Sequence, residues 1–253
     1  MGLINPRSEV QVFPPAPYMS QQSAWDQEYK SQKLLSPSNV PHADVVRFLR
    51  WLKKEHKKNG EPIDMEELRV LDLGSGTGRN SYYFAEQGAK VLGLEFSPNA
   101  LALAQKIARH GDMDIEYRLQ DIGTSYHIES NSINIALDVT SSNSLSDTGR
   151  EVYLKELNRV LVPGGYLFLR ALSFESDAHA KELVKRFPGP DPDTYIHPDL
   201  HIIEKVFSRE TLKSTYEPYF DILSLDKVQH YATVAGRKYK RSYWVAYLQK
   251  KEK

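Results

Sequence analysis

The segment Val70-Leu71-Asp72-Leu73-Gly74-Ser75-Gly76-Thr77-Gly78-Arg79-Asn80 constrains this chain most. Val70 to Leu73 reads as a buried strand, and a glycine-rich turn follows. Ser81 to Gln87 then reads as a helix closed by Gly88. Strand, tight glycine turn and helix make a unit that cradles a nucleotide. Glycine lets a ligand approach the backbone, and the helix start leaves N–H groups unpaired. The spacing is Gly-x-Gly-x-Gly, not the Gly-x-Gly-x-x-Gly of dinucleotide sites. One βα unit further on, Val91 to Leu94 is a second apolar strand ending in Glu95. A carboxylate at that strand tip can accept both hydroxyls of a ribose. Taken alone, the same residues also fit an ordinary turn beside a surface glutamate.

Further signals come in a fixed order. Ser97-Pro98 starts a helix through Arg109, with Leu101, Ala104 and Ala108 inward. Asp114 to Leu119 is a third strand, followed by Gln120-Asp121-Ile122. Ile133 to Asp138 is a fourth, opening into the polar loop Val139 to Ser144. Asp147-Thr148 caps a helix to Leu161, and Pro163-Gly164-Gly165 turns into a fifth strand, Tyr166 to Leu172. Phe220 to Gln229 and Arg241 to Gln249 alternate as two more strands. Upstream, Pro41 to Lys58 is an amphipathic helix on Val45, Phe48, Leu49 and Leu52.

Together these residues, from about Arg69 to Leu172, resemble the class I S-adenosyl-L-methionine (SAM)-dependent methyltransferases. The resemblance implies an α/β, Rossmann-like fold. Its seven-stranded, mostly parallel sheet runs in the order 3-2-1-4-5-7-6, with strand 7 antiparallel and helices on both faces. It implies SAM as cofactor, held around the glycine turn by Asp72, Gly74, Ser75, Gly76, Thr77, Gly78 and Asn80. Glu95 takes the ribose, and Phe96, Ser97, Gln120, Asp121 and Ile122 surround the adenine. Asp138 ends the strand nearest the transferred methyl, so it is a candidate for cofactor contact and for acceptor orientation or proton removal, with capping of the polar loop as the alternative; that loop's hydroxyls and Asn143 are candidates to hold a polar substrate.

The segment Trp25-Asp26-Gln27-Glu28-Tyr29, with Ser23 as a possible N-cap, puts Trp25 and Tyr29 on one helix face. A similar segment folds over the SAM site in several small-molecule methyltransferases, which implies cofactor or acceptor contacts for both rings. A hydrophobic pair docking the helix on the sheet is the alternative. With Gly78-Arg79-Asn80-Ser81, this segment resembles the bacterial tellurite-resistance and thiopurine-type methyltransferases, which act on small acceptors.

The organisation expected is a tail plus short cofactor-covering helix over 1–40 and a methyltransferase domain over 41–253. Pro6, Pro14, Pro15 and Pro17 mark the tail. Residues 173–207 depart from the family pattern, with a helix near Ala178 to Arg186 and then a proline-rich stretch to His201. Long irregular segments inside a domain are usually functional, and this one leaves the strand-carboxyl edge where ligands bind. It reads as a substrate lid, with Tyr195 and His201 as candidate catalytic or acceptor-contact residues. Asp191, Asp193, His197 and His201 suggest metal ligands, but Pro198 prevents one helix from presenting both histidines, so no metal is expected.

Composition narrows the function. Lys+Arg and Asp+Glu both number 33 among 253 residues, so nothing global draws the chain to nucleic acid or membrane. The clusters Lys53 to Lys58 and Arg237 to Arg241 read as a solvated helix end and a charged hairpin tip, with RNA contact as the alternative. No cysteine is present, which excludes disulfides, Cys-ligated zinc and a Cys nucleophile, and suits the cytoplasm. No apolar run approaches the ~20 residues of a membrane span. Met1 to Asn5 begins like a myristoylation signal, but Pro6 stands where Ser or Thr is needed. A sulfonium methyl is already activated, so orientation supplies most of the acceleration and a base is optional. The expectation is direct methyl transfer to a small-molecule acceptor by a monomer or homodimer, releasing S-adenosylhomocysteine (SAH). An RNA or protein acceptor, a non-catalytic SAM-fold protein and a nucleotide-binding oxidoreductase stay open as alternatives.

Overall fold

The computed structural model describes residues 20–31, 39–234 and 237–252. The proline-bearing tail and the Met1–Pro6 segment lie outside them, apart from Ser20. Helix α1 (Gln21–Ser31) is followed by α2 (Ala43–Lys58), β1 (Arg69–Leu73), α3 (Arg79–Glu86), β2 (Lys90–Glu95), α4 (Pro98–His110) and β3 (Ile115–Leu119). Then come β4 (Ile133–Val139), a 3-10 turn (Ser142–Ser144), α5 (Asp147–Val160), β5 (Leu161–Leu172) and α6 (Ala178–Arg186). The chain closes with β6 (Thr194–Ile196), β7 (Ile203–Lys205), α7 (Arg209–Tyr216), β8 (Phe220–Val234) and β9 (Arg237–Lys250).

Seven strands form one sheet, ordered β3-β2-β1-β4-β5-β9-β8. Pairing is parallel from β3 to β5, and β9 runs antiparallel to both β5 and β8. This is the expected order, with β8 and β9 as the sixth and seventh strands. The strands are apolar on both faces because helices cover both. Leu71, Leu73, Leu167, Leu169, Trp244 and Ala246 pack with Tyr153, Leu157 and Val160 of α5 and Leu212 of α7. Val70, Ile135, Leu137, Phe168 and Val245 point the other way, onto Val45, Phe48 and Leu49 of α2 and Phe84 of α3.

Four details differ from the sequence expectation. Strand β5 begins at Leu161, so α5 passes straight into it. Pro163 to Gly165 sits inside the strand as an irregularity where the register with β4 shifts, and Gly164 adopts φ +72°. Residues 237–241 run as paired strand from the closed end of the β8–β9 hairpin, Arg237 opposite Val234 and Arg241 opposite His230. Arg241 is buried there because its Nε donates to Asp177 Oδ2 at 3.0 Å. Helix α2 starts at Ala43, capped by His42, whose Nδ1 accepts from Asp44 N–H at 3.2 Å. Helix α1 is capped by Ser20 rather than Ser23, since Ser20 Oγ accepts the Ser23 N–H at 3.1 Å.

The 173–207 segment is folded rather than irregular. Strands β6 and β7 pair antiparallel, Tyr195 opposite Glu204. Leu172, Ala180, Leu183, Tyr195 and Val206 close a small core of their own. Among the described residues no helix is long and apolar enough to cross a membrane, and no cluster of three His, Asp or Glu could hold a metal ion.

Candidate active site

A cavity of about 570 Å³ opens at the carboxyl ends of β1, β2 and β4, within the range of small-molecule sites. Its floor is the glycine turn. Gly74 and Gly76 hold φ +62° and +57°, a left-handed backbone that favours glycine. A Cβ at Gly76 would meet the Tyr29 hydroxyl at 2.7 Å, and one at Gly74 would strike Ser141. Ser75 N–H donates to the Leu94 carbonyl at 2.9 Å, fixing the turn to β2.

Glu95 ends β2 and lines the cavity, although only 3% of its surface is exposed. Its Oε2 accepts the Gly76 N–H and its Oε1 the Ser97 N–H, both at 2.8 Å. Burial pushes its carboxyl above the usual carboxylate range, and those N–H groups pull the other way. Each carboxylate oxygen carries a second lone pair, so Glu95 can still accept from a ligand hydroxyl. Gln120, Asp121, Ile122 and Gly123 line the end beyond β3, with Phe96 close by. Asp121 Oδ1 accepts the Gly123 N–H at 2.7 Å, which shapes that turn. Arg79, the first residue of α3, also lines the cavity. Val139, Thr140 and Ser141 form the wall at the tip of β4.

Helix α1 roofs the cavity. Gln21 holds β7 from both sides of one residue: its Nε2 donates to the Ile203 carbonyl at 3.0 Å and its Oε1 accepts the Ile203 N–H at 2.9 Å. Trp25 Nε1 reaches Ser144 Oγ at 3.3 Å. Asp26 docks on the start of α4, accepting from Ser97 Oγ (2.7 Å), Asn99 N–H (2.9 Å) and Asn99 Nδ2 (2.7 Å). Burial disfavours its charge, but the Ser97 and Asn99 bonds outweigh that and hold its pKa below the ordinary value. Trp25, Tyr29 and Ile203 all line the cavity.

The expected residues therefore divide. Trp25, Tyr29, Gly74, Glu95, Phe96, Gln120, Asp121 and Ile122 come together around the cavity. Ser75, Gly76, Thr77 and Gly78 build the turn beneath it. Three side chains lie one layer further out. Asp72 is buried and accepts from Ser81 Oγ at 2.6 Å, tying β1 to α3. Asn80 Oδ1 accepts the His42 N–H at 3.0 Å, and Ser97 caps α4.

The three catalytic candidates are not cavity-lining. Asp138 is fully buried below the wall. Its Oδ1 accepts the Ser141 and Ser142 N–H groups (2.9 and 3.2 Å), and its Oδ2 accepts from Tyr153 OH at 2.7 Å. It holds the loop and has no surface for an acceptor. Tyr195 is buried in the small core, where its OH donates to Glu204 Oε2 at 2.6 Å and accepts from Arg241 Nη2 at 3.2 Å. His201 is exposed in the β6–β7 turn at φ +56°, its N–H bonded to the His197 carbonyl at 2.8 Å. Gln21, Arg79 and Ile203 line the cavity without having been expected there, whereas Thr140, Ser141 and Ser144 belong to the polar loop expected at this strand end. Arg79 had a signal, its place directly after the last glycine of the turn. Gln21 and Ile203 had none, since 182 residues separate them.

Residues 70–165 match the sequence model of the methyltransferase domain. The fold is shared with TehB from Haemophilus influenzae (TM-score 0.60, 20% identity, 89% of this chain and 67% of that one). It is shared as closely with the 1,6-didemethyltoxoflavin-N1-methyltransferase of Burkholderia thailandensis, solved with S-adenosylhomocysteine (TM-score 0.60, 16% identity, 95% and 93%). The match to the methyltransferase-domain model is thus confined to the segment from β1 into β5, and the solved structures share the fold. Among curated relatives, a ubiquinone biosynthesis O-methyltransferase of Bradyrhizobium sp. (strain ORS 278) is 30% identical over 121 residues, 47% of this chain and 46% of that protein. The chain thus spans less than half the length of that relative.

Proposed function

We propose that the chain is a SAM-dependent methyltransferase that passes the sulfonium methyl to a small-molecule acceptor and releases SAH. The observation that carries this reading is Glu95, a buried carboxylate fixed by the Gly76 and Ser97 N–H groups and facing the cavity. Its position suits the two ribose hydroxyls. Asp121 and Ile122 suit an adenine amino group and ring face, with Phe96 available on the other side. Gly74 and Gly76 hold the left-handed turn under the site and let Ser141 and Tyr29 pack onto the backbone there, and Arg79 offers a cation for the ligand's carboxylate. Tyr29 and Trp25 close over the same space and exclude water.

SAM, when bound, would supply the reactive methyl: the carbon–sulfur bond would break as the acceptor lone pair takes the methyl, sulfur keeping the bonding electrons, and the acceptor's proton would pass to solvent. The protein's own share is alignment and desolvation, which suffice for an activated methyl. Among acceptor atoms, the relatives named as O-methyltransferases favour oxygen. A macromolecular acceptor has less support. Lys53 Nζ donates to Gln87 Oε1 (3.1 Å), Lys58 pairs with Glu55 (2.7 Å), and Arg241 is buried on Asp177, so these cations are engaged within the fold. A cytosolic setting fits the cysteine-free sequence.

Titration calorimetry of the purified chain with SAM, SAH and NAD tests the reading. Binding of SAM and SAH in the micromolar range, with no heat from NAD, is the expected result. Absence of binding by SAM and SAH at millimolar concentration, with native circular dichroism, would overturn it.

A further inference from the structure

Strand β8 is the outer strand of the sheet, and its 15 residues are long for an edge. The backbone directions along it follow from β9. Ser242 turns its backbone toward β5 and the residues after it: its carbonyl accepts the Ser173 N–H at 3.0 Å, and its N–H donates to Asp177 Oδ2 at 2.9 Å. Backbone groups alternate in direction along a strand. Tyr243 and Val245 therefore turn theirs toward β8, onto Val228 and Asp226. Leu225, Lys227, Gln229 and Tyr231 in turn point their N–H and C=O groups outward. Among the described residues these groups have one partner, Arg209 Nη1, 3.5 Å from the Leu225 carbonyl. An edge open over this length is a template for another strand.

The side chains of β8 divide by face. Val228 packs toward α2, and Asp226 and His230 share its face, both exposed. Leu225 packs on the opposite side, and Lys227, Gln229 and Tyr231 share that face. Lys227 and Gln229 are held there: Lys227 Nζ donates to Ser176 Oγ at 3.0 Å and Gln229 Nε2 to Ser242 Oγ at 2.9 Å. Tyr231 is 73% exposed. Asp226 Oδ2 accepts from Ser224 Oγ at 2.7 Å, which leaves Oδ1 to accept from elsewhere.

Two copies of such an edge can pair antiparallel about a two-fold axis normal to the sheet, which sets each residue opposite one of the same face. With the axis at Val228, Asp226 of each copy meets His230 of the other, a carboxylate against a ring N–H donor. In the same register Leu225 meets Tyr231, Lys227 meets Gln229, and Val228 meets its own copy. Neighbouring registers lose this match. Centring on Lys227 opposes two lysines, centring on Asp226 opposes two carboxylates, and centring on Gln229 sets His230 against Val228. We propose that β8 is a self-association edge: a second copy of this chain adds its own β8 antiparallel, centred on Val228, so that one sheet runs through both copies. This holds independently of the methyl-transfer reading.

The full chain has no cysteine, so a single introduced thiol reads the register. In analytical ultracentrifugation the mass should rise toward twice that of one chain across about 1–100 μM, the weak end of interface strength. The Lys227, Gln229 and Tyr231 amides should exchange more slowly as concentration rises. Under mild oxidation Val228→Cys should cross-link two chains, because the side chains of a non-hydrogen-bonded pair stand close to disulfide distance. It should do so about tenfold faster than the more exposed Lys227→Cys, whose thiols face each other only across a diagonal. His230→Asp sets like charges opposite on both sides of the axis and should weaken the dimer about tenfold, while Asp226→Lys with His230→Asp should restore it to within about twofold. A folded monomer at about 100 μM, equal cross-linking of the two cysteine variants, or wild-type dimerisation by His230→Asp would overturn the proposal. Slow exchange of those three amides in a monomer at every concentration would assign the edge to another segment of the same chain, and would overturn it too.

Discussion

The floor and the roof of the cavity are built by opposite means. The floor, from β1 through Ile122, is contiguous in sequence. Its shape comes from backbone: two left-handed glycines, N–H groups aimed at Glu95, and the Ser75–Leu94 bond. The roof is α1 and the β6–β7 hairpin, far apart in sequence and held by side chains: Gln21 joins the two at Ile203, and Asp26 fastens α1 to Ser97 and Asn99 at the start of α4. Backbone geometry persists when a side chain changes, while a side-chain latch opens when one amide is lost. The floor should therefore set affinity, and the roof should set how long a ligand stays.

The strongest way to break that contrast is Glu95→Ala. Losing charge-assisted bonds and stranding two buried N–H groups should cost about 3 kcal/mol, roughly a 100-fold rise in the SAH dissociation constant by calorimetry. A change under fivefold would deny the floor its dominance.

A pH experiment on the floor comes next. Burial raises the Asp72 pKa from 3.8 to about 6. Because the folded value lies above the unfolded one, Asp72 favours the fold most when protonated, and that contribution fades as pH rises through about 6. Asp72→Asn cannot ionise, although it perturbs the Ser81 bond equally at every pH. The stability of the ligand-free variant should therefore improve relative to wild type by up to about 3 kcal/mol between pH 4 and pH 8. Urea denaturation at several pH values reads this, and a pH-independent difference would contradict it.

The roof should respond less in affinity and more in rate. Asp26→Ala removes three hydrogen bonds and a negative charge at the start of α4, worth about 1–2 kcal/mol. Stopped-flow release of SAH should quicken about tenfold, with faster hydrogen exchange over Gln21–Ser31. Gln21→Ala should act in the same direction at about 1 kcal/mol, with exchange rising at Ile203. If both variants left release unchanged, α1 would be a fixed wall and not a latch.

The same division explains what could be read from the chain beforehand. Strand order, the glycine turn, Glu95 and the Asp121-Ile122 pair were legible because each signal is local: apolar runs, glycines at alternate positions, a carboxylate at a strand tip. Arg79 was visible within that run, yet its direction depends on where α3 begins. For Asp138 the sequence leaves two readings open, because a carboxylate at a strand end looks alike whether it faces a cavity or caps its own loop. Only the Ser141, Ser142 and Tyr153 bonds distinguish the two. The packing of Tyr195 is hidden for a related reason, since the proline-rich sequence around it gives no periodic sign of the small core it joins. The Gln21–Ile203 clamp leaves no trace in local sequence at all.

Glu95 touches both sides of its own pocket, one oxygen on the glycine turn and the other on the cap of α4. It behaves as a keystone: the span between those two shoulders is set by a single carboxyl group, whatever it also grips. Replacing it would let the shoulders drift, so the affinity lost would combine a missing grip with a misshapen socket. A glutamine there, with one oxygen kept for the turn, would separate the two contributions.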